Sequence, residues 1–177
     1  MTLPLRPVTC FIGTRLEALQ TVQKFCDVRC IVTVRDSWVD QDCKSSGIAP
    51  HLVTQSTKES TFRFLSSQSV RLVVSAGFPF ILPGYVLSSG PIFINSHPSL
   101  LPDYKGYNAI RDAFGNGEKH MGVTVHHMTE DVDEGAPIVQ EMVCVKGLGL
   151  QEIYDLLFRV IEPTAISRSL ETLRQCT

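Results

Sequence analysis

Two periods alternate along this chain, and that alternation restricts its fold more than any other feature. Short apolar runs rich in β-branched residues are separated by segments whose apolar residues recur every three or four positions. VTCFIG at 8–13 reads as a buried strand closed by glycine. RLEALQTVQKF follows, with Leu16, Leu19, Val22 and Phe25 at helical spacing and Thr14 in place to cap it. VRCIVTV at 28–34 is a second strand, 57–66 a second helix with Phe62 and Leu65 on one side, and RLVVS at 71–75 a third strand closed by Ala76 and Gly77. The polar stretch 35–50 carries Gly and Pro and reads as a loop, and 51–54 as a short strand. Strand, helix, strand, helix, strand requires crossovers, which lay successive strands parallel in one sheet with helices on its faces.

The second half breaks that rhythm. Residues 81–87 read as a short helix, PIFI at 91–94 as a strand that stops at Asn95, and 107–114 as a helix. GVTVHHM at 122–128 and IVQEMVCV at 138–145 are strands joined by a polar loop, so they pair antiparallel at one side of the sheet. A long amphipathic helix spans 150–173, with Pro163 placed to kink it. No repeat, low-complexity tract or linker divides the chain. The expectation is one α/β, Rossmann-like domain over 1–177, with a mostly parallel twisted sheet, an antiparallel edge and flanking helices. A chain of 177 residues can build such a core without disulfide or metal.

Composition narrows the partners. Sixteen Lys and Arg against 18 Asp and Glu leave a net charge of −2, so no basic field invites nucleic acid or an anionic membrane. The most apolar stretch, 70–87, is broken by Arg71, Gly77, Pro79, Pro83 and Gly84 and does not read as a membrane span. The opening MTLPLRPVTCFIG lacks the pattern of a secretory signal. Six cysteines (Cys10, Cys26, Cys30, Cys43, Cys144 and Cys176) are scattered with no C-x-x-C pair. They read as reduced, buried thiols of a cytoplasmic protein. No ligand set has metal spacing, so no metal is expected.

Two segments concentrate polar chemistry. INSHPSLLPDYKG at 94–106 follows an apolar strand, at the carboxyl end where open α/β sheets bind ligands. Asn95 and His97, two apart in extended chain, share one side. A neutral amide donor beside a titratable imidazole suits a developing oxyanion. TEDVDEG at 129–135 supplies Glu130, Asp131, Asp133 and Glu134 between the last two strands. A carboxylate reaching His97 would orient its ring and raise its pKa, or accept a proton from an attacking amine. Each segment also has an ordinary meaning: Asn and His end strands, and acidic hairpins are solvated turns. Alternation puts His126 and His127 on opposite faces, which argues against joint metal ligation, and His51 reads as structural.

Taken together, INSHPSLLPDYKGYNA and, downstream, GVTVHHMTEDVDEGAPIVQE resemble the folate-dependent formyltransferase family, most closely its glycinamide ribonucleotide transformylase type. LVVSAGFPFIL at 72–82 resembles that family's strand and folate-side loop. The resemblance implies that Asn95, His97 and Asp133 are catalytic and that 10-formyltetrahydrofolate donates a formyl group to a primary amine. It implies that Phe80, Ile81, Leu82 and Val86, with Glu130 and Val132 of the acidic loop, hold the pterin. Thr124, as a hydroxyl near the aspartate, and Glu162 are assigned to the acceptor. In this reading Asn95 and protonated His97 stabilise charge on the formyl oxygen, while Asp133 holds His97 and shuttles a proton through water.

The chain departs from the pattern at its first turn, where the Gly- and Ser-rich run that binds the acceptor's phosphate is missing. Thr14 and Arg15 are what remains to meet an anion at that helix start. The acceptor therefore stands open between a phosphoribosylglycinamide-like amine and an amino-sugar nucleotide. The charge balance, and the lack of the further domain carried by the methionyl-tRNA enzymes, point away from tRNA. The same residues would also serve a formyltetrahydrofolate hydrolase, or a non-catalytic folate- or nucleotide-binding module. The expected partner is a small amine, and an apolar edge helix would allow a homodimer.

Overall fold

The computed structural model describes residues 3–175. In chain order its elements are β1 (Val8–Gly13), α1 (Leu16–Phe25), β2 (Asp27–Thr33), α2 (Trp38–Ser45), β3 (His51–Leu52), α3 (Lys58–Ser66), β4 (Leu72–Ala76), α4 (Gly84–Leu87), β5 (Ile92–His97), α5 (Ala109–Gly115), β6 (His120–His127), β7 (Pro137–Cys144), α6 (Leu150–Leu156) and α7 (Glu162–Gln175). The seven strands form one sheet in the order β3-β2-β1-β4-β5-β6-β7. β1 to β5 pair parallel, and β6 and β7 pair antiparallel. The expected α/β class, mostly parallel sheet and antiparallel edge are all present.

Helices cover both faces, which is why β4 is buried at every residue and shows no polar alternation. Strand period divides the core in two. Phe11, Leu72, Val74 and Ile94 pack with Leu19 and Val22 of α1 and Ile166 and Leu170 of α7. Cys10, Ile12, Val73 and Phe93 pack on the other side with Phe62 and Leu65 of α3 and with Leu82 and Val86.

Several local expectations are corrected. The stretch read as a loop holds α2: the Ser37 hydroxyl caps it by accepting from the Asp40 N–H at 3.1 Å, and Val39 and Cys43, one turn apart, are buried. Two inward residues suffice when the rest of a helix is solvated. Thr14 does not cap α1; its hydroxyl donates to the Gly77 carbonyl at 3.1 Å, and Arg15 holds the cap position. The short helix after β4 is confined to α4, beyond Pro83. The last helix is interrupted by a π-helical turn, Leu157–Ile161, just before Pro163. Pro163 has no N–H for the carbonyl one turn back, and the backbone widens there. Cys10, Cys26, Cys30 and Cys43 are buried, but Cys144 is exposed on the edge strand β7; Cys176 lies outside the described residues. Among the described residues no helix is long and apolar enough to cross a membrane.

One correction bears directly on function. β5 does not stop before Asn95 but runs to His97, so both side chains project from the strand itself.

Candidate active site

Strand register assembles the site. Across the antiparallel β5–β6 pair, Asn95 stands opposite His126 and His97 opposite Thr124. Opposed residues share a face, so these four residues lie on one face at the carboxyl end of β5. The loop between β6 and β7 then returns Asp133 to the same place. Asp133 has a left-handed φ of 58°, and Gly135 behind it lets the loop close. A Cβ on Gly135 would lie 1.7 Å from the His127 carbonyl oxygen, so only glycine fits.

Asp133 is nearly buried and is met from three directions. Its Oδ2 lies 3.3 Å from His97 Nδ1 and accepts the Gly106 N–H at 2.9 Å; its Oδ1 lies 3.5 Å from His126 Nε2. Burial pushes its pKa up, but His126, the Gly106 N–H and His97 together outweigh it and hold the carboxyl below its usual value. It is ionised at neutral pH.

His97 is 5% exposed. Its Nε2 sits 2.8 Å from the Tyr104 carbonyl oxygen, and a carbonyl only accepts, so Nε2 carries the hydrogen. The neutral ring therefore turns the Nδ1 lone pair toward Asp133. Burial lowers the His97 pKa; the Tyr104 carbonyl and Asp133 pull it upward, and His126 and Arg15 push it down again. Asp133 does raise it, as expected of a neighbouring carboxylate, but burial outweighs that pull and the net direction is down. A lone pair and a carboxylate oxygen thus face each other across 3.3 Å. That gap is a slot for one proton.

His126 was read only as a strand histidine, yet it belongs to the site. Its Nδ1–H donates to the His127 carbonyl at 2.9 Å, so in the neutral ring Nε2 accepts from the Asn95 amide at 3.3 Å, and in the protonated ring it donates to Asp133 Oδ1 at 3.5 Å. That contact fixes which way the amide faces and leaves its second N–H for a ligand. Alternation places His126 on the same face as Thr124, but its meeting with Asn95 depends on the β5–β6 register.

Thr124 does not face the site as an acceptor contact. It is fully buried, donates to the Ser99 carbonyl at 2.6 Å, and accepts from the Leu101 N–H and the Gln140 side chain, each at 3.0 Å. It staples the loop after β5.

The residues assigned to the pterin divide by burial. Leu82 and Val86 are packed into the core and anchor their segment instead of lining a surface. Ile81, Val132 and Glu130 are exposed and Phe80 is half-buried; Tyr85 of α4, which the sequence reading did not assign, is exposed too. α4 adjoins the acidic loop, because a Cβ on Gly84 would meet the Glu130 carboxylate. Residues 78–82 lie outside helix and strand, so their backbone groups are in no ladder. Apolar side chains from two segments beside uncommitted backbone suit a flat, polar-edged heterocycle.

Across β5, Ser96 points to the opposite side and donates to Glu162 Oε1 at 2.6 Å. Arg15 Nη1 reaches the same oxygen at 2.7 Å, with its guanidinium 3.6 Å over the Phe158 ring. Burial pushes the Glu162 pKa up, while Arg15 and Ser96 draw it down. Arg15 and Glu162 therefore pair on the far side of β5 from Asn95, with Arg15 still near enough to push the His97 pKa down, while the Thr14 hydroxyl is spent on the Gly77 carbonyl.

Comparison with known proteins agrees with this geometry. The sequence matches the formyl transferase family over residues 9–149. It is 35% identical over 97 residues to methionyl-tRNA formyltransferase of Coprothermobacter proteolyticus (54% of this chain, 32% of that protein). It is 33% identical over 118 residues to phosphoribosylglycinamide formyltransferase of Escherichia coli (62% of this chain, 56% of that protein). The match thus spans less than two thirds of either curated relative. The structure superposes on phosphoribosylglycinamide formyltransferase from Anaplasma phagocytophilum with a TM-score of 0.82 and 27% identity, covering 97% of this chain and 87% of that one. With a family match over residues 9–149, most of its length, this chain belongs to the formyl transferase family.

Proposed function

We propose that this chain transfers a formyl group from 10-formyltetrahydrofolate to a primary amine on a small acceptor, a phosphoribosylglycinamide-like compound or an amino-sugar nucleotide. The observation that carries the reading is the proton slot between His97 Nδ1 and Asp133 Oδ2, beside an Asn95 amide whose orientation is fixed by His126. The exposed Ile81, Tyr85 and Val132 with half-buried Phe80 would hold the folate, which supplies the formyl carbon. The net charge of −2 favours a small amine over tRNA.

Each residue then has a definite task. As the amine nitrogen bonds to the formyl carbon, negative charge grows on the formyl oxygen. The free N–H of Asn95 donates to that oxygen, a contribution of about 3–4 kcal/mol for one such donor. The amine becomes acidic, and its proton enters the slot. There it turns a contact between two lone pairs into a charge-assisted hydrogen bond. As the bond from the formyl carbon to the folate nitrogen breaks, the His97–Asp133 pair returns the proton to that nitrogen.

The test is a spectroscopic assay of 10-formyltetrahydrofolate conversion, run with no acceptor, with phosphoribosylglycinamide, and with 3-amino and 4-amino sugar nucleotides. Amine-dependent conversion is expected, with Asn95→Ala, His97→Ala and Asp133→Ala each lowering turnover by about 100-fold or more. Near-wild-type turnover in all three variants overturns the assignment.

A further inference from the structure

We infer that Tyr104 is a positioning residue for His97: its main-chain carbonyl, held in a left-handed backbone conformation by an anchored phenol, selects the Nε2–H tautomer and makes Nδ1 the nitrogen that faces the reaction. The inference rests on the function proposed above.

Tyr104 has a φ of 54°, a conformation that bulky side chains seldom adopt. Something must hold it there. The phenol donates to Glu118 Oε1 at 2.7 Å and accepts from Asn116 Nδ2 at 3.2 Å, both just beyond the end of α5. The ring leans on the edge of the main core and borders an open cavity of about 210 Å³ on its other side. Packing alone therefore does not fix it, and the polar anchors decide where it sits. On the preceding turn the Asp103 carbonyl is tied to the Ser99 hydroxyl at 2.6 Å, and the Ser99 carbonyl to Thr124. The peptide carbonyl of Tyr104 is thus pinned from both sides and aimed at His97.

The effect on the imidazole follows from donor counting. A histidine beside a carboxylate ordinarily gives it an N–H, and here that would place the hydrogen on Nδ1, toward Asp133. Nε2 would then be the basic nitrogen and would point at the loop, away from the site. The Tyr104 carbonyl at 2.8 Å is closer than Asp133 at 3.3 Å and accepts only, so it claims the hydrogen on Nε2. The basic lone pair is left on Nδ1, next to Asp133 and on the face shared with Asn95. The groups near this ring are Asp133, His126 and, across the strand, Arg15; none of them offers Nε2 a competing partner.

The experiment combines ¹⁵N NMR of the histidine side chains with steady-state kinetics. Tyr104→Phe removes the anchor from the tyrosine. Glu118→Ala removes it from an exposed residue, with circular dichroism checking the fold, and Glu118→Gln retains an accepting oxygen. At about pH 8, above the titration range of histidine, wild-type His97 is expected as the Nε2–H tautomer. Tyr104→Phe and Glu118→Ala are expected to shift population toward Nδ1–H and to lower kcat about 10-fold, with KM for 10-formyltetrahydrofolate within about 2-fold. Glu118→Gln is expected to restore both readouts. A wild-type Nδ1–H tautomer, or Glu118→Ala with unchanged His97 shifts and kcat, overturns the inference. If the tautomer behaves as stated but no amine is formylated, the functional reading fails while the positioning role stands.

Discussion

Arg15→Met isolates a charge pair whose cost can be worked from the structure. The Glu162 side chain is 0% exposed and that of Arg15 18%, so solvent screens little of their interaction at 2.7 Å. Glu162 Oε1 accepts from Arg15 and Ser96, and Glu162 Oε2 has no partner among the described residues. Removing the guanidinium leaves a buried carboxylate with one hydroxyl donor. Breaking a buried pair from one side costs about 3–5 kcal/mol. At about 2–4 °C per kcal/mol for a chain of this size, Tm should fall by roughly 6–20 °C. The sign of the pH dependence follows from Glu162, whose folded pKa burial already raises. Without Arg15 it rises further, and the folded state then favours the protonated carboxyl. Stability is retained below the unfolded value of about 4.3 and lost as pH climbs through the folded one. Thermal unfolding followed by circular dichroism should therefore show a larger deficit at about pH 8 than at about pH 5. Arg15→Met combined with Glu162→Gln should recover most of the loss, because the neutral amide needs no counter-charge. A variant within about 2 °C of wild type at pH 8, or a double variant no better than the single one, would refute the reasoning.

Three further outcomes follow from the same contacts. Gly135→Ala drives a Cβ into the His127 carbonyl and must displace Asp133, so kcat should fall with a stability loss of about 1–3 kcal/mol; Gly84→Ala meets only the mobile end of Glu130 and should melt like wild type. The NMR titration midpoint of His97 should lie below the ordinary value of about 6.5, and lower still in Asp133→Asn, since Asp133 is one of the groups pulling it upward. His126→Leu removes the acceptor that orients Asn95, and kcat should drop roughly 10-fold with little change in the KM for folate.

Much of this architecture could be read from the residues because its strands carry simple patterns. β1 and β4 are largely apolar runs buried on both faces, and the helices around them have clear inward stripes. α2 escaped because only Val39 and Cys43 face inward with Asp40, and its remaining residues resemble those of a loop. Alternation correctly placed Asn95 and His97 on one side even though the end of β5 was set too early. His126 could not be found this way, since its meeting with Asn95 depends on a strand register between residues 31 apart. Arg15 and Glu162 are 147 residues apart, and their pairing exists only once α1 and α7 pack on the same face. The acidic loop looked uniform in sequence. Gly135 and the Gly106 N–H single out Asp133 for burial, while Glu130 and Glu134 stay in solvent. Thr124 was given to the acceptor for its hydroxyl, but only the fold reveals that three loop and strand groups already claim it.

The most direct test of the central claim follows the formyl carbon itself. 10-Formyltetrahydrofolate labelled with ¹³C in the formyl group is incubated with the protein and each amine, and the products are resolved by mass spectrometry and NMR. Formyl transfer predicts that the label appears as an N-formyl amide on one acceptor, with an equal amount of tetrahydrofolate released and both lost together in Asp133→Asn. Label recovered as free formate regardless of the amine, or left on the folate throughout, would contradict it.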